Sequence, residues 1–270
     1  MALPALSGVE AAKRLAAYAA VDRHVLKGSK LVGIGSGSTV PYVVDRIVQQ
    51  GVEANKDRLF FPTDQLSSSA PRANFAGFQS KQLIIDAGLQ LGDVDQYTRL
   101  DVCIDGADEV DAQLNSIKGG GACQLREKVL ADMSDVWVTV ADFRKNSEIL
   151  GQNWKQGIPV EVVPFAYVQV MDRLQKAGGA PVLRMGKAKA GPVVSDNGNF
   201  IVDCPFPEEM MRDPFKLLTN LKLITGVVEV GLFCGLAKGA YFGNEDGTVT
   251  IRTLTGTEQI KEVPAEAPLN

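Results

Sequence analysis

The sequence predicts an α/β protein: a doubly wound, mostly parallel sheet followed by a smaller α+β unit. Three observations predict it. From Val9 to Asp142, short apolar runs alternate with stretches whose apolar residues recur at helical spacing, the order of a parallel sheet with helical crossovers. The first apolar run breaks directly into "GIGSGST", as a strand-to-helix turn does. Near "KQGIPVEVVPFAYV" the pattern shifts to a βαββαβ-like order, that of a small ferredoxin-like α+β unit.

Each element has its own signal. "VEAAKRLAAYAAVDRHV" places apolar residues at helical spacing and predicts an opening helix. "SKLVGIGSGST" is a short buried strand ending in glycine. "TVPYVVDRIVQQG" carries Val40, Val43, Val44, Ile47 and Val48 as one helical stripe, with Pro41 suited to its first turn and Gly51 to its end. "RLFFPT" predicts a strand, and "GFQSKQLIIDAG" a helix closed by Gly88. "RLDVCIDGAD" is a strand entering an acidic loop, "ACQLREKVLADM" a helix, and "DVWVTVAD" a further strand. The second unit offers a strand, the helix "AYVQVMDRLQKAGG", two strands around "SDNGNF", the helix "DPFKLLTNLKLIT" and the strand "VVEVGLF". "KGAYFGNEDGTVTIRTL" reads as a hairpin with Asp-Gly at its turn.

Composition narrows the chemistry. The 270 residues suffice for one large or two modest domains with a real core. A net charge of −4 without a basic stripe argues against a nucleic-acid partner. No apolar run approaches the ~20 residues that span a bilayer, and the N-terminus lacks a signal-peptide pattern. Four scattered cysteines without a C-x-x-C pair read as reduced thiols, so a cytoplasmic location is expected. With His24 as the one histidine, a Ser-His-Asp triad or a His-based zinc site is not expected. Acid–base chemistry falls to carboxylates, lysines, tyrosines or cysteines.

Two stretches concentrate such groups. "GIGSGST", Gly33 to Thr39, joins a strand to a helix; it suits an anion held by helix-opening N–H groups, and equally a mere tight turn. It matches neither the dinucleotide glycine pattern nor a phosphate loop with a following lysine. "DVCIDGADEVDAQLNSIKGGGACQLREK", Asp101 to Lys128, places six carboxylates, Lys118 and a Gly-Gly-Gly run within 28 residues. Asp105, Asp108, Glu109 and Asp111 follow a strand. They suit a solvated loop with Asx turns, a divalent metal site, or ligand contacts beyond a strand end. "KGGGA" offers a second anion cradle, and Glu127 lies about two turns into the helix after it. Two anion-type loops and several acids at successive strand ends imply a small, anionic, oxygen-rich substrate such as a sugar phosphate. Lys145 in "VADFRKNSEILG" adds to the same edge.

Together with "GIPVEVVP", "KAGPVVSDNGNFI" and "GVVEVGLF", these motifs resemble the A-type ribose-5-phosphate isomerases, in their eukaryotic, fungal-like form, over nearly the whole chain. The resemblance implies a metal-free, cofactor-free aldose–ketose isomerase interconverting ribose 5-phosphate and ribulose 5-phosphate through an enediolate, and a homo-oligomer, dimer or tetramer. It implies a discontinuous Rossmann-like domain, residues 1–155 and 232–270, enclosing a small α+β domain, 156–231. By motif, Glu127 corresponds to the catalytic base. Asp105, Asp108 and Lys118 correspond to the remaining catalytic groups. Substrate and phosphate contacts correspond to Ser36, Gly37, Ser38, Thr39, Gly106, Ala107, Gly119, Gly120, Gly121 and Lys145. The chemistry is consistent: proton removal from C2 needs a base, and the enediolate oxygens need donors. On that basis Lys118 and the Gly119–Gly121 amides face the charged oxygens. Asp105 assists ring opening, with Asp108 orienting Asp105 or Lys118.

Two rivals use the same residues: a metal-dependent sugar-phosphate isomerase built on the Asp cluster, and a non-catalytic sugar-phosphate sensor. A sensor has no need of Glu127 beside an oxyanion cradle, and no basic helix-turn-helix segment accompanies it. The chain departs from the resemblance twice. A Ser-rich stretch of thirteen residues without periodicity, Asp64 to Ala76, separates Pro62-Thr63 from "GFQSK", where relatives run on without interruption. Loop closure costs only about 0.6 kcal/mol per doubling of length, so the fold is expected to tolerate them. Gln124-Leu125-Arg126 also differs from the usual residues, with Glu127 and Lys128 kept in register.

Overall fold

A computed structural model describes residues 8–63, 79–187 and 190–261; the Asp64–Ala76 segment lies outside them. The chain runs α1 (Gly8–His24), β1 (Leu31–Ile34), α2 (Val40–Gln49), α3 (Val52–Asn55), β2 (Leu59–Pro62), α4 (Gln79–Asp86), β3 (Leu100–Gly106), β4 (Glu109–Val110), β5 (Ser116–Ile117), α5 (Gln124–Met133) and β6 (Ser134–Asp142). It continues with β7 (Ile158–Val162), α6 (Tyr167–Lys176), β8 (Val182–Leu183), β9 (Phe200–Cys204), α7 (Glu208–Met211), α8 (Pro214–Lys222), β10 (Val227–Val230) and β11 (Leu232–Phe233). It closes with β12 (Ala237–Gly243), β13 (Val249–Thr253) and β14 (Gly256–Ile260).

The large sheet has the order β14-β13-β12-β6-β3-β1-β2. β12, β6, β3, β1 and β2 are parallel, and β13 and β14 extend that sheet as antiparallel hairpins. The hairpin expected from Asp246-Gly247 thus pairs back onto a strand more than ninety residues earlier. β6 carries Trp137, Val138 and Val140 at 0% exposure, because both faces of a parallel sheet are covered. α1 lays Ala16, Ala17, Ala20 and Val21 against this sheet. Its backbone comes so close that a Cβ at Gly243 would sit 1.7 Å from the Ala12 carbonyl oxygen, so only glycine fits there. α2 buries Val40, Val43, Val44 and Ile47, each worth roughly 1.5–3 kcal/mol on full burial, but Val48 is 43% exposed. The stripe is therefore one residue narrower than expected, since Val48 turns past the sheet.

The second unit has the sheet order β10-β7-β9-β8, all neighbours antiparallel, with α6 and α8 packed on its core. One expectation fails locally. The residues before "SDNGNF" form only isolated bridges, Met185 with Pro192 and Val194 with Phe200, and the true strand β8 lies earlier. A third, unanticipated sheet of order β11-β5-β4 links the two larger ones. It converts part of the acidic loop into strand and threads Lys118 directly after β5. His24 ends α1, with Nε2 2.7 Å from the Tyr241 hydroxyl. The four cysteines are free and buried.

Candidate active site

The carboxyl ends of β1, β3 and β6 meet at a cavity of about 440 Å³, of a size that holds a small ligand. Ser36 to Thr39 reach it from the turn after β1, and Gly106 to Asp108 from the end of β3. Lys118 to Gly121 come from the run after β5, Glu127 from α5 and Lys145 from the turn after β6. Every candidate residue except Asp105 lines this cavity, joined by Gln79, Ala141 and Asp142.

The two loops interlock because glycine permits close approach. A Cβ at Gly35 would fall 1.9 Å from Asp105 Oδ1. Asp105 Oδ1 accepts from the N–H groups of Ser36 (2.9 Å) and Gly106 (2.7 Å), tying the β1 turn to the β3 end. Its other oxygen lies 3.0 Å from Lys118 Nζ. Lys118 Nζ also donates to the Gly106 carbonyl at 2.6 Å and lies 3.1 Å from Glu127 Oε1. Ser36 Oγ donates to Glu127 Oε1 at 2.8 Å and sits 3.2 Å from Cys123 Sγ. Glu127 Oε2 is buried and accepts no hydrogen bond among the described residues.

Lys118 and Glu127 are 2% and 3% exposed and Asp105 0%, so their charges are decided by one another. Burial pushes the Asp105 carboxyl up, to about 7, with Lys118 pulling it down and Glu127 pushing it further up. Burial by itself would lower the Lys118 ammonium; the carboxylates of Asp105 and Glu127 outweigh it and hold that pKa above the ordinary lysine value. Asp108 is raised by burial, against the pull of the Gly120 N–H and Lys118.

Three expectations change on this geometry. Asp105 is enclosed behind the cavity wall and reaches it only through Ser36, Gly106 and Lys118, because the parallel sheet covers its strand. Asp108 accepts the Gly120 N–H at 2.7 Å, and no hydrogen bond joins it to Asp105 or Lys118 among the described residues. The Gly120 amide is therefore already occupied. Glu127 stands in the first turn of α5, not about two turns in, since the helix begins at Gln124. There the positive end of the helix dipole favours its carboxylate.

The four acids after β3 do not converge. Glu109 turns away to accept from Ser147 Oγ (2.6 Å) and the N–H groups of Gly151 (2.6 Å) and Asn153 (2.7 Å). Asp111 accepts from Asn115 and Gln113. No group of three or more such side chains that could hold a metal occurs among the described residues.

Lys145 Nζ lies 5.4 Å from the centre of the Trp154 ring, which fixes its stem beside the cavity. Gln79 Oε1 accepts the Gly37 N–H at 2.9 Å. Neither Gln79, in "GFQSK", nor Asp142, in "VADFRKNSEILG", is among the contacts that the resemblance implies, yet both line the cavity.

Asp105 makes stability depend on pH. Its folded pKa, about 7, exceeds the ordinary 3.8, so the folded chain keeps a proton that the unfolded chain releases. This contribution is complete below pH 3.8 and disappears as pH rises through about 7. His24 acts with the opposite sign, its folded pKa lowered by burial to about 4. Asp105→Asn keeps an oxygen acceptor but removes the titration. Between pH 4.5 and 7.5 its stability relative to wild type should rise, as read by denaturant unfolding. Parallel wild-type and variant curves would overturn the assignment.

Among known proteins, the ribose 5-phosphate isomerase A (phosphoriboisomerase A) family model matches residues 75–247. The ribose-5-phosphate isomerase of Cryptococcus neoformans var. neoformans serotype D is 66% identical over 264 residues, 94% of this chain and 83% of that protein. The enzyme of the same name from Mycosarcoma maydis is 60% identical over 272 residues, 98% of this chain and 91% of that protein. A D-ribose-5-phosphate isomerase solved in complex with phospho-erythronic acid superposes with a TM-score of 0.77 at 31% identity, covering 94% of this chain and 99% of its own. With its parallel sheet, its antiparallel second sheet and these relatives, the chain belongs to the ribose 5-phosphate isomerase A family and is an isomerase of ribose 5-phosphate.

Proposed function

We propose that Glu127 is the base that moves the proton between C2 and C1 of the open-chain sugar phosphate. One observation carries this reading: Glu127 Oε1 is held by Ser36 and Lys118, while Oε2, in a residue lining the cavity, has no partner among the described residues. A carboxylate anchored through one oxygen presents the other to substrate. Lys118, kept protonated by its two carboxylates, neutralises charge growing on the sugar oxygens. The Gly121 N–H is the second donor. Asp108, at the wall with a raised pKa, takes over the ring-opening role expected of Asp105, and Asp105 becomes a positioning group for Lys118 and Ser36. The opening of α2 with Ser38 and Thr39, faced by Lys145, receives the phosphate. A ligand carrying both a phosphate and a carboxylate, such as the phospho-erythronic acid bound by the solved relative, suits these two ends.

The site is assigned to one discontinuous domain, 1–155 with 232–270, around a small domain, 156–231; the return of β12 to pair with β6 supports this division. Exposed Phe165, Val168, Phe215 and Leu223 support a homo-oligomer. Among the described residues no helix is long and apolar enough to cross a membrane, and we keep the cytoplasmic assignment as a proposal.

A coupled assay of ribose 5-phosphate isomerisation, run before and after exhaustive dialysis against EDTA, tests the metal-free reading. Turnover is expected to be unchanged by chelation. Loss of turnover restored by Mg²⁺ or Mn²⁺ would favour the metal-dependent rival.

A further inference from the structure

The glycine run after Lys118 has no side chains to set its own peptide planes. Gly119 sits at φ +103, and three successive glycines accept either peptide orientation at little cost. Within the run the Gly119 carbonyl accepts from the Ala122 N–H at 3.0 Å, and a further constraint comes from the other sheet. Arg184, directly after β8, donates from Nη1 to the carbonyl oxygens of Gly119 (2.9 Å) and Gly120 (3.1 Å). Its guanidinium is fixed first by Asp203 of β9, which accepts from Nε at 2.8 Å and also from Nη2. Both side chains are 13% exposed. The Arg184 backbone is held as well, its N–H donating to Ile201 O and its carbonyl accepting from Val193.

The consequence follows from the planarity of the peptide. In a trans peptide the C=O and the next N–H point in opposite directions. Turning the Gly119 and Gly120 carbonyls toward Arg184 turns the Gly120 and Gly121 N–H groups toward the opposite side of the run, where Asp108 takes the first. The Gly121 N–H has no partner among the described residues, and Gly121 lines the cavity. A cation on the two carbonyls also polarises both peptides and strengthens their N–H groups as donors.

We infer that Arg184, fixed by Asp203, is a positioning residue for the isomerisation: it orients and polarises the Gly121 amide that faces the enediolate, and the Gly120 amide that holds Asp108. The inference rests on the site reading above. It assigns to the second sheet a part in chemistry otherwise carried by the large sheet and the small β11-β5-β4 sheet. Removing the guanidinium affects donors that matter most when charge develops, so it acts on the chemical step more than on ground-state binding.

The test uses the full chain with Arg184→Ala, Arg184→Lys and Asp203→Asn. Kinetics are compared with binding of phospho-erythronic acid, whose carboxylate places a fixed negative charge near the amides, and of inorganic phosphate. A fully lost oxyanion donor costs about 10²–10³ in kcat, so a misoriented one in Arg184→Ala is expected to cost roughly 10–100-fold. KM for ribose 5-phosphate and the affinity for inorganic phosphate should stay within about threefold. Phospho-erythronic acid should bind about tenfold more weakly, because a charged acceptor loses its aligned donors. Arg184→Lys keeps the charge and the stem but not the fork, and should fall between Ala and wild type; should the Ala variant not fold, the Lys variant decides. Folded variants with wild-type kcat and wild-type affinity for phospho-erythronic acid would overturn the inference. So would a proportional loss of kcat, KM and phosphate affinity, the mark of a general structural role. A parallel Glu127→Gln variant separates the two readings: if it remains active the site assignment fails, and if it alone is inactive only the role of Arg184 fails.

Discussion

Glu127→Gln is expected to lower kcat by roughly 10² or more, the range of a general acid–base group, while KM changes by no more than a few-fold. The amide keeps the length of the side chain, and its oxygen can still accept from Ser36 Oγ, so packing in the first turn of α5 survives. What disappears is the second carboxylate oxygen, the one without a hydrogen-bond partner among the described residues. A hundredfold loss corresponds to about 2.7 kcal/mol of barrier. Steady-state kinetics and exchange of the C2 hydrogen with solvent should fall together. Turnover near wild type in a folded Gln variant would remove Glu127 from the chemistry.

Lys118→Met should cost both activity and stability. The methionine fills much of the same volume but leaves Asp105 and Glu127 facing one another without the ammonium that lies 3.0 Å and 3.1 Å from them. Removing one partner of a buried charged group typically costs about 3–5 kcal/mol. Without Lys118, which pulls the Asp105 pKa down, the Asp105 carboxyl binds its proton still more tightly than in the unfolded chain. The sign follows: the deficit is largest near pH 7.5 and shrinks on acidification toward pH 5, as protonation removes the repulsion. Turnover should drop by at least roughly 10², since the donor facing the enediolate is gone. A deficit below about 1 kcal/mol that is flat with pH would show that the cluster does not depend on the lysine.

Much of the cavity was legible in the linear order of residues because a parallel sheet places every strand's carboxyl end on one edge. Ser36, Ala107 and Lys145 each lie within three residues past β1, β3 or β6, so motifs far apart in sequence had to meet, and Lys118 joins them from the small antiparallel sheet. Asp105 shows how sharply a strand boundary matters. It lies within β3, paired with Thr139, and not beyond it, so its side chain serves the wall. Gln79 and Arg184 carried no chemical signature of their own. A glutamine in a helix and an arginine beside a two-residue strand look like surface residues until the neighbouring loop is known.

The sequence by itself determined the alternation of strands and helices, the two glycine turns and the final hairpin, and it supplied the carboxylates and lysines from which the site is built. These depend on periodicity, on local backbone freedom and on residue chemistry, all of which act over a few residues. Only the tertiary structure decided which carboxylate meets the cavity, that one lysine serves two of them, and that an arginine of the second sheet sets the glycine amides. Those are questions of burial and distance between segments up to 91 residues apart, the separation of Ser36 from Glu127. In a water-poor interior, a few tenths of an ångström and the sign of the nearest charge decide what a carboxyl group does.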